Sequence, residues 1–155
     1  MDLPPDFKEL LEELVRDAVE FLLIGGYAVA FHGRPRATKD IDILLEGSVE
    51  NLERASRAVA RFGAPHHVVE AIAAMQASEV VFMGQPPLRV DFLRSIDGVQ
   101  PEAVFARPVV AEVDGVRIKI ISLDDLIDNK RAAGRPQDLL DVEFLARVRA
   151  RRTTP

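Results

Sequence analysis

The chain has 155 residues, a formal net charge of −5 at pH 7 and no cysteine. This length suits one domain with its own hydrophobic core, and the lack of thiols excludes disulfide and thiolate chemistry. The acidic balance argues against broad nonspecific binding to nucleic acid. No apolar run reaches the roughly 20 residues that a membrane helix needs, so we expect a cytoplasmic protein without a membrane partner.

The first part of the sequence alternates between helical and strand patterns. Apolar residues recur at helical spacing near the N-terminus, and short apolar runs that end at glycine or polar residues predict strands. The predicted elements are a helix over Asp6–Val19, a strand over Phe21–Ile24, a short helix over Gly26–His32, a loop over Gly33–Lys39, a strand over Asp40–Leu45 and a helix over Asn51–Phe62 with Ser48 as its N-cap.

The second part predicts two antiparallel strand pairs followed by helices. The predicted elements are strands over Glu79–Met83 and Leu88–Leu93, a hairpin of Val109–Val113 and Val116–Ile121 around the Asp114-Gly115 turn, a helix from Ser122 to Ala133 that ends at Gly134, and a helix over Arg135–Arg151. We therefore expect a mixed α/β (α+β) fold in a single domain over 1–155. Its sheet-containing core would span 1–121, and C-terminal helices would span 122–155.

Two aspartates lie one residue apart within the predicted strand DIDILL. Side chains on a strand alternate between its two faces, so Asp40 and Asp42 would share one face, with Cα atoms ~6.6 Å apart. Such a pair of carboxylates is repulsive and costly to desolvate unless a cation neutralises it. Asp91, in the strand LRVDFL, is the best candidate for a third carboxylate. The pattern indicates a Mg²⁺ site, although two aspartates on a solvent-facing strand would read the same way.

A glycine pair precedes this strand. Gly25 and Gly26 lie between a predicted strand and a predicted helix, where glycine lets the backbone approach a ligand and the helix N-terminus offers N–H groups to phosphate. A tight turn alone would also explain the pair. The loop that follows supplies polar side chains suited to a triphosphate or to an acceptor, namely Arg34, Arg36, Thr38 and Lys39.

The stretch GGYAVAFHGRPRATKDIDILL resembles the nucleotidyltransferase superfamily that includes DNA polymerase beta. Gly25-Gly26 matches its strand-to-helix turn, Asp40 and Asp42 its Asp-x-Asp pair, and Asp91 its later third aspartate. The tail LIDNKRAAGRPQDLLDVEFL resembles small bacterial nucleotidyltransferase-like proteins, among them abortive-infection-type toxins. The matching residues of this tail are Lys130, Arg135, Asp138 and Asp141.

This resemblance implies a nucleotidyltransferase fold, with a mixed central sheet flanked by helices, and transfer of an NMP from an NTP to a hydroxyl of RNA (tRNA), protein or a small molecule. Asp40, Asp42 and Asp91 would bind Mg²⁺ or Mn²⁺, and Gly25 and Gly26 would bind phosphates. Lys130 would reach phosphate unless it is a solvated helix lysine. Asp138 and Asp141 would orient Lys130 or Arg135 or act on the acceptor, unless they only complement the helix dipole.

Two main readings of the function stay open on the sequence, and a third, an aminoglycoside-type small-molecule transferase, shares the chemistry but usually needs additional acceptor-binding structure, for which this length leaves little room. The first is an active metal-dependent nucleotidyltransferase, which could be one half of a toxin–antitoxin pair with a cognate toxin or antitoxin as partner. The second is a catalytically silent nucleotide- or partner-binding module on the same fold. Gly26 stands where many active transferases have serine, which favours the silent module. Retention of Asp40, Asp42 and Asp91 favours the enzyme.

Overall fold

The computed structural model describes residues 2–35, 37–85 and 88–153. Within them the chain forms seven helices and one six-stranded sheet. In chain order the elements are α1 (Pro5–Arg16), β1 (Phe21–Ile24), α2 (Gly25–Phe31), β2 (Asp40–Leu45), α3 (Val49–Phe62), α4 (His66–Ala73), β3 (Val80–Gln85), β4 (Leu88–Leu93), α5 (Pro101–Ala106), β5 (Val109–Val113), β6 (Val116–Ile120), α6 (Leu123–Ala133) and α7 (Pro136–Thr153). Each predicted helix and strand is present.

The sheet is mixed, as the resemblance implies. Its strand order is β3-β4-β2-β1-β6-β5. The pairs β2–β4 and β1–β6 are parallel, and the pairs β1–β2, β3–β4 and β5–β6 are antiparallel. The strands β1 and β2 are consecutive in the chain, are joined by α2 and the loop that follows it, and lie antiparallel to each other in the middle of the sheet.

The β5–β6 hairpin turns at Asp114 and Gly115, where the sequence predicts it. Both residues have positive φ, 51° and 81°. Two positive φ angles are the signature of the tight turn whose twist matches the flanking strands, and Asp-Gly is a favoured pair for it. This hairpin closes the edge of the sheet that lies farthest from β3.

The helices α4 and α5 are not predicted by the sequence pattern. The helix α4 buries Val68 and Ile72 on one side, but its β-branched residues and single buried stripe give a weak helical signal. The helix α5 has six residues and buries Val104, which is too short for a periodicity to show.

Alternation along β2 divides the core from the site. Ile41 and Ile43 are fully buried, while Asp40 and Asp42 on the opposite face are partly exposed. The strand β1 is buried along its whole length. On the C-terminal side, α6 packs against α7 and also contacts α2, so that the last two helices lie next to the helix that begins at the glycine pair.

Candidate functional site

The sheet register brings the three predicted carboxylates together. Asp42 of β2 lies directly opposite Asp91 of β4, and Asp40 lies opposite Arg89. Residues opposite one another in neighbouring strands share a face, so Asp40, Asp42 and Asp91 project to the same side of the sheet. All three line one open pocket of about 810 Å³, a volume in the range of small-molecule sites.

Asp42 is the most perturbed titratable group of this pocket. Burial, the neighbouring charges of Asp91 and Asp40 and a hydrogen bond with Asp91 together raise the pKa of its carboxyl to about 7, and the Lys130 ammonium opposes this shift. Such a raised pKa means that the ionised form of Asp42 is disfavoured beside the two other carboxylates unless positive charge is added. The donor set therefore fits a divalent cation, since carboxylate oxygens are the ligands that Mg²⁺ takes from proteins.

Arg89 supplies positive charge to these carboxylates in the structure. Its Nε and Nη2 atoms donate to the two carboxylate oxygens of Asp91 at 2.9 and 3.2 Å, and Nη2 lies 3.4 Å from Oδ2 of Asp40. The guanidinium also stands over the Phe82 ring, 4.8 Å from its centroid. Among the residues that the structure describes, no group of three or more carboxylate or imidazole side chains is arranged around one point as a metal cage.

Gly25 is required by the close approach of the backbone to Asp42. Its φ is +67°, a region that side chains disfavour, and a Cβ built on it would overlap the Asp42 carboxylate. Gly26 follows it in the first turn of α2 and is buried. Both glycines line the pocket, so the predicted phosphate-binding turn and the carboxylates lie side by side.

Lys130 is held by two carboxylates of α7. Its Nζ atom lies 3.1 Å from Asp138 Oδ1 and 3.4 Å from Asp141 Oδ2, and its side chain is 7% exposed. Lys130 is therefore not a solvated helix lysine, and its contacts with Asp138 and Asp141 fit the prediction that they orient it. Lys130 and Asp138 also line the pocket.

Asp138 is paired a second time, by Arg135. The Arg135 Nε atom donates to Asp138 Oδ2 at 2.7 Å and its backbone N–H donates to the same oxygen at 3.2 Å. Burial raises the pKa of Asp138, but the hydrogen bonds from Arg135 and Lys130 outweigh burial and leave this pKa lowered. Asp138 is thus an ionised anchor between α6 and α7.

The loop before β2 divides between the pocket and α7. Thr38 and Lys39 line the pocket, and the Thr38 hydroxyl donates to the Asp40 carbonyl at 3.2 Å. Arg34, expected to suit a triphosphate or an acceptor, instead donates to Asp141 at 3.0 Å and stands 5.8 Å from the centroid of the Phe144 ring, so it contacts α7. Arg36 lies outside the described residues.

Two residues next to the carboxylates, Arg89 and Phe82, are not found by the sequence reasoning. Arg89 precedes Asp91 by two residues on a strand, and this spacing alone places both on one face, so a search for same-face partners of the third aspartate would have found it. Phe82 pairs with Asp91 across the β3–β4 ladder and is 52% exposed. Its signal is a large aromatic residue on the site face of an edge strand.

Comparisons with known proteins agree on the fold. The model of a family described as "Nucleotidyl transferase of unknown function (DUF2204)" matches residues 5–154. No curated protein sequence matches the chain.

Three solved structures share the architecture. TM1012 of Thermotoga maritima, a protein assigned to the nucleotidyltransferases, is 16% identical, with 91% of this chain and 88% of that chain covered and a TM-score of 0.57. The lincosamide antibiotic adenylyltransferase LnuA, solved with lincomycin bound, is 15% identical, with 94% and 98% covered and a TM-score of 0.62.

The third structure is ANT(2'')-Ia in complex with adenylyl-2''-tobramycin. It is 17% identical, with 95% of this chain and 97% of that chain covered and a TM-score of 0.55. At these identities the likeness establishes the nucleotidyltransferase fold, which confirms the fold and the resemblance predicted from the sequence. In the described residues no helix is long and apolar enough to cross a bilayer.

Proposed function

Because this chain belongs to the DUF2204 family of nucleotidyl transferases, we propose that it transfers an NMP from an NTP to an acceptor hydroxyl in a metal-dependent reaction. The observation that carries the proposal is the convergence of Asp40, Asp42 and Asp91 on one face of two adjacent strands, beside the Gly25 turn. A binding module has no need to bring three carboxylates together at the electrostatic cost that the raised pKa of Asp42 records.

The side chains divide into a phosphate side and an acceptor side. The first N–H groups of α2 have no partner within the helix, so Gly25 and Gly26 would bind the leaving phosphates, with Lys39 and Lys130 as neighbouring positive charges. Asp40 and Asp42 would hold two divalent cations, Mg²⁺ or Mn²⁺, which neutralise the charge that develops on the attacking and leaving oxygens. Asp91 would hold the cation on the acceptor side.

The reaction needs only the NTP, the acceptor hydroxyl and a base besides the cations. The acceptor hydroxyl gives its proton to the Asp91 carboxylate, its oxygen forms a bond to the α-phosphorus, and the bond from that phosphorus to the bridging oxygen of the β-phosphate breaks, so that pyrophosphate leaves. NTP is a cytoplasmic metabolite, and this chemistry therefore supports a cytoplasmic protein.

The acceptor that we propose is a hydroxyl of RNA, such as tRNA, of a protein, or of a small molecule. The pocket continues past Asp91 along the site face of β3 and β4, where Val80, Phe82 and Leu93 offer apolar surface to an acceptor. On the resemblance of the Lys130 to Asp141 segment to small bacterial toxins, we further propose a role in a toxin–antitoxin pair.

The test is label transfer. The full chain is incubated with Mg²⁺ or Mn²⁺ and each α-labelled NTP, with total tRNA, with a protein extract or alone. Transfer that requires the cation and disappears in Asp42→Asn supports the proposal. An Asp128→Asn variant, altered at an exposed position of α6, is the matched control and is expected to keep the transfer.

The silent nucleotide-binding module is the second candidate, and the Arg89 ion pairs favour it, because Asp40 and Asp91 are already paired with a cation of the chain itself. Calorimetry separates the two candidates. NTP binding in the presence of Mg²⁺, with no label transferred to any acceptor or to the protein, would support the module and contradict the enzyme.

A further inference from the structure

Arg89 occupies the carboxylate oxygens that the proposed cations need. It binds both oxygens of Asp91 and reaches Asp40, so one guanidinium bridges the two strands at the site. Each carboxylate oxygen has two lone pairs, so the guanidinium does not fill Asp91 completely, but a divalent cation at the same oxygens would lie next to its positive charge and be repelled by it. Arg89 and a metal at Asp91 therefore compete for this carboxylate.

The surroundings of Arg89 allow it to leave. Its side chain is 35% exposed, whereas Asp40 is 41% and Asp91 14% exposed, so the guanidinium can move into water without opening the core. The exposed ring of Phe82, on the neighbouring strand, contacts the guanidinium from one side, so Arg89 lies at the protein surface beside the carboxylates.

Lys130, another cation close to these carboxylates, differs from Arg89 in its exposure. Its ammonium is almost fully buried and lies between two carboxylates that are themselves buried. Removing it from these partners would leave charges without compensation in the interior, which is strongly destabilising. The contrast in exposure indicates that Lys130 is fixed in place and that Arg89 is exchangeable.

We propose that Arg89 is a tethered cation that holds Asp91 and Asp40 in position while the site is free of metal, and that it competes with the divalent cation for these carboxylates. Arg89 is in this sense a positioning residue of the metal site. The inference rests on the proposed function, because it takes Asp40, Asp42 and Asp91 as the metal ligands.

The test measures Mn²⁺ binding to the full chain by the electron paramagnetic resonance signal of free Mn²⁺. The variants are Arg89→Gln, which removes the charge, Arg89→Lys, which keeps the charge but loses the bidentate geometry, and the control Arg61→Gln. Arg61 also pairs with two carboxylates, Glu13 and Asp17, between α3 and α1, and neither it nor these partners line the pocket.

We expect Arg89→Gln to bind Mn²⁺ about tenfold more tightly than the unaltered chain, because the competing hydrogen bonds to Asp91 are gone. Arg89→Lys should lie between the two, and Arg61→Gln should equal the unaltered chain. A merely structural role for Arg89 would lower the melting temperature without strengthening Mn²⁺ binding. If Arg89→Gln fails to fold, the Mn²⁺ affinity of Arg89→Lys tests the inference, because it must still exceed that of the unaltered chain.

Two results overturn the inference alone. Equal affinities of the unaltered chain and the folded Arg89 variants would show that the guanidinium does not compete, and weaker binding in those variants would show that it helps to arrange the ligands. A different result, no Mn²⁺ binding by any folded variant or by the unaltered chain with or without NTP, contradicts the metal-dependent function and the inference together.

Discussion

Replacing Asp42 by asparagine should make the metal-free protein more stable, and by an amount that depends on pH. Burial and the charges of Asp91 and Asp40 raise the pKa of Asp42 from 3.8 to about 7. Between these pH values the unfolded chain loses the Asp42 proton and the folded chain keeps it. The free energy of unfolding therefore falls as the pH rises through this window and stays level above it.

The size of the effect follows from the two pKa values. Each pKa unit corresponds to ~1.36 kcal/mol, so the fall between pH 3.8 and about pH 7 amounts to as much as about 4 kcal/mol. Asparagine has no proton to lose. The variant Asp42→Asn should match the unaltered chain near about pH 4 and exceed it by up to about 4 kcal/mol near about pH 8, which for a chain of this length raises the melting temperature by roughly 8–16 °C.

The assay is urea unfolding followed by circular dichroism at several pH values in the presence of a chelator. Asp128→Asn serves as the control, because Asp128 is exposed on α6 and surface substitutions change stability little. A difference between Asp42→Asn and the unaltered chain that does not grow with pH, or a variant that is less stable at high pH, would refute the reasoning about charge crowding at this site.

Three further changes probe other parts of the structure. Gly25→Ala should destabilise the fold by about 1–2 kcal/mol through its positive φ and weaken Mn²⁺ binding, because its Cβ overlaps the Asp42 carboxylate; urea unfolding and Mn²⁺ titration measure the two effects, and unchanged values in both would contradict this account. Asp138→Asn should lower the free energy of unfolding by about 3 kcal/mol at neutral pH, because the buried Lys130 ammonium loses one of its carboxylate partners. Since the pKa of Asp138 is lowered in the fold, this loss should shrink as the pH falls below the usual carboxyl range. Unfolding curves with a constant difference at all pH values would argue against it. Asn51→Ala should cost about 2–3 kcal/mol, because the buried Asn51 amide accepts from the Glu20 N–H and donates to backbone carbonyls, with Mn²⁺ affinity unchanged; a change in that affinity would mean that this region and the site are coupled.

Much of the site could be predicted because it depends on local sequence. A strand places residues two apart on one face, so Asp40 and Asp42 are assigned together as soon as DIDILL is read as a strand. Gly25 is marked by its place between a strand and a helix. These assignments need no knowledge of how the chain folds around them.

The remaining contacts depend on pairings between segments far apart in the sequence. The register of β2 with β4 sets Asp42 against Asp91, and no property of either strand alone determines it. Arg34 lies in the loop with Thr38 and Lys39, yet it pairs with Asp141 of α7, since its direction is decided by the packing of a helix about a hundred residues away. The same packing, and not the α6 sequence, decides that Lys130 is buried.

The carboxylates lie on strands from the interior of the sheet, and this has a consequence for how they are kept in place. The strand β2 is bonded to β1 and β4, and β4 is bonded to β2 and β3. With a ladder on each side, neither backbone can slide without breaking two rows of hydrogen bonds. A slip of β2 by a single residue would turn Ile41 and Ile43 toward solvent and bury both aspartates in the hydrophobic core. The backbone hydrogen bonds and core packing that stabilise the sheet therefore also fix the spacing of the carboxylates.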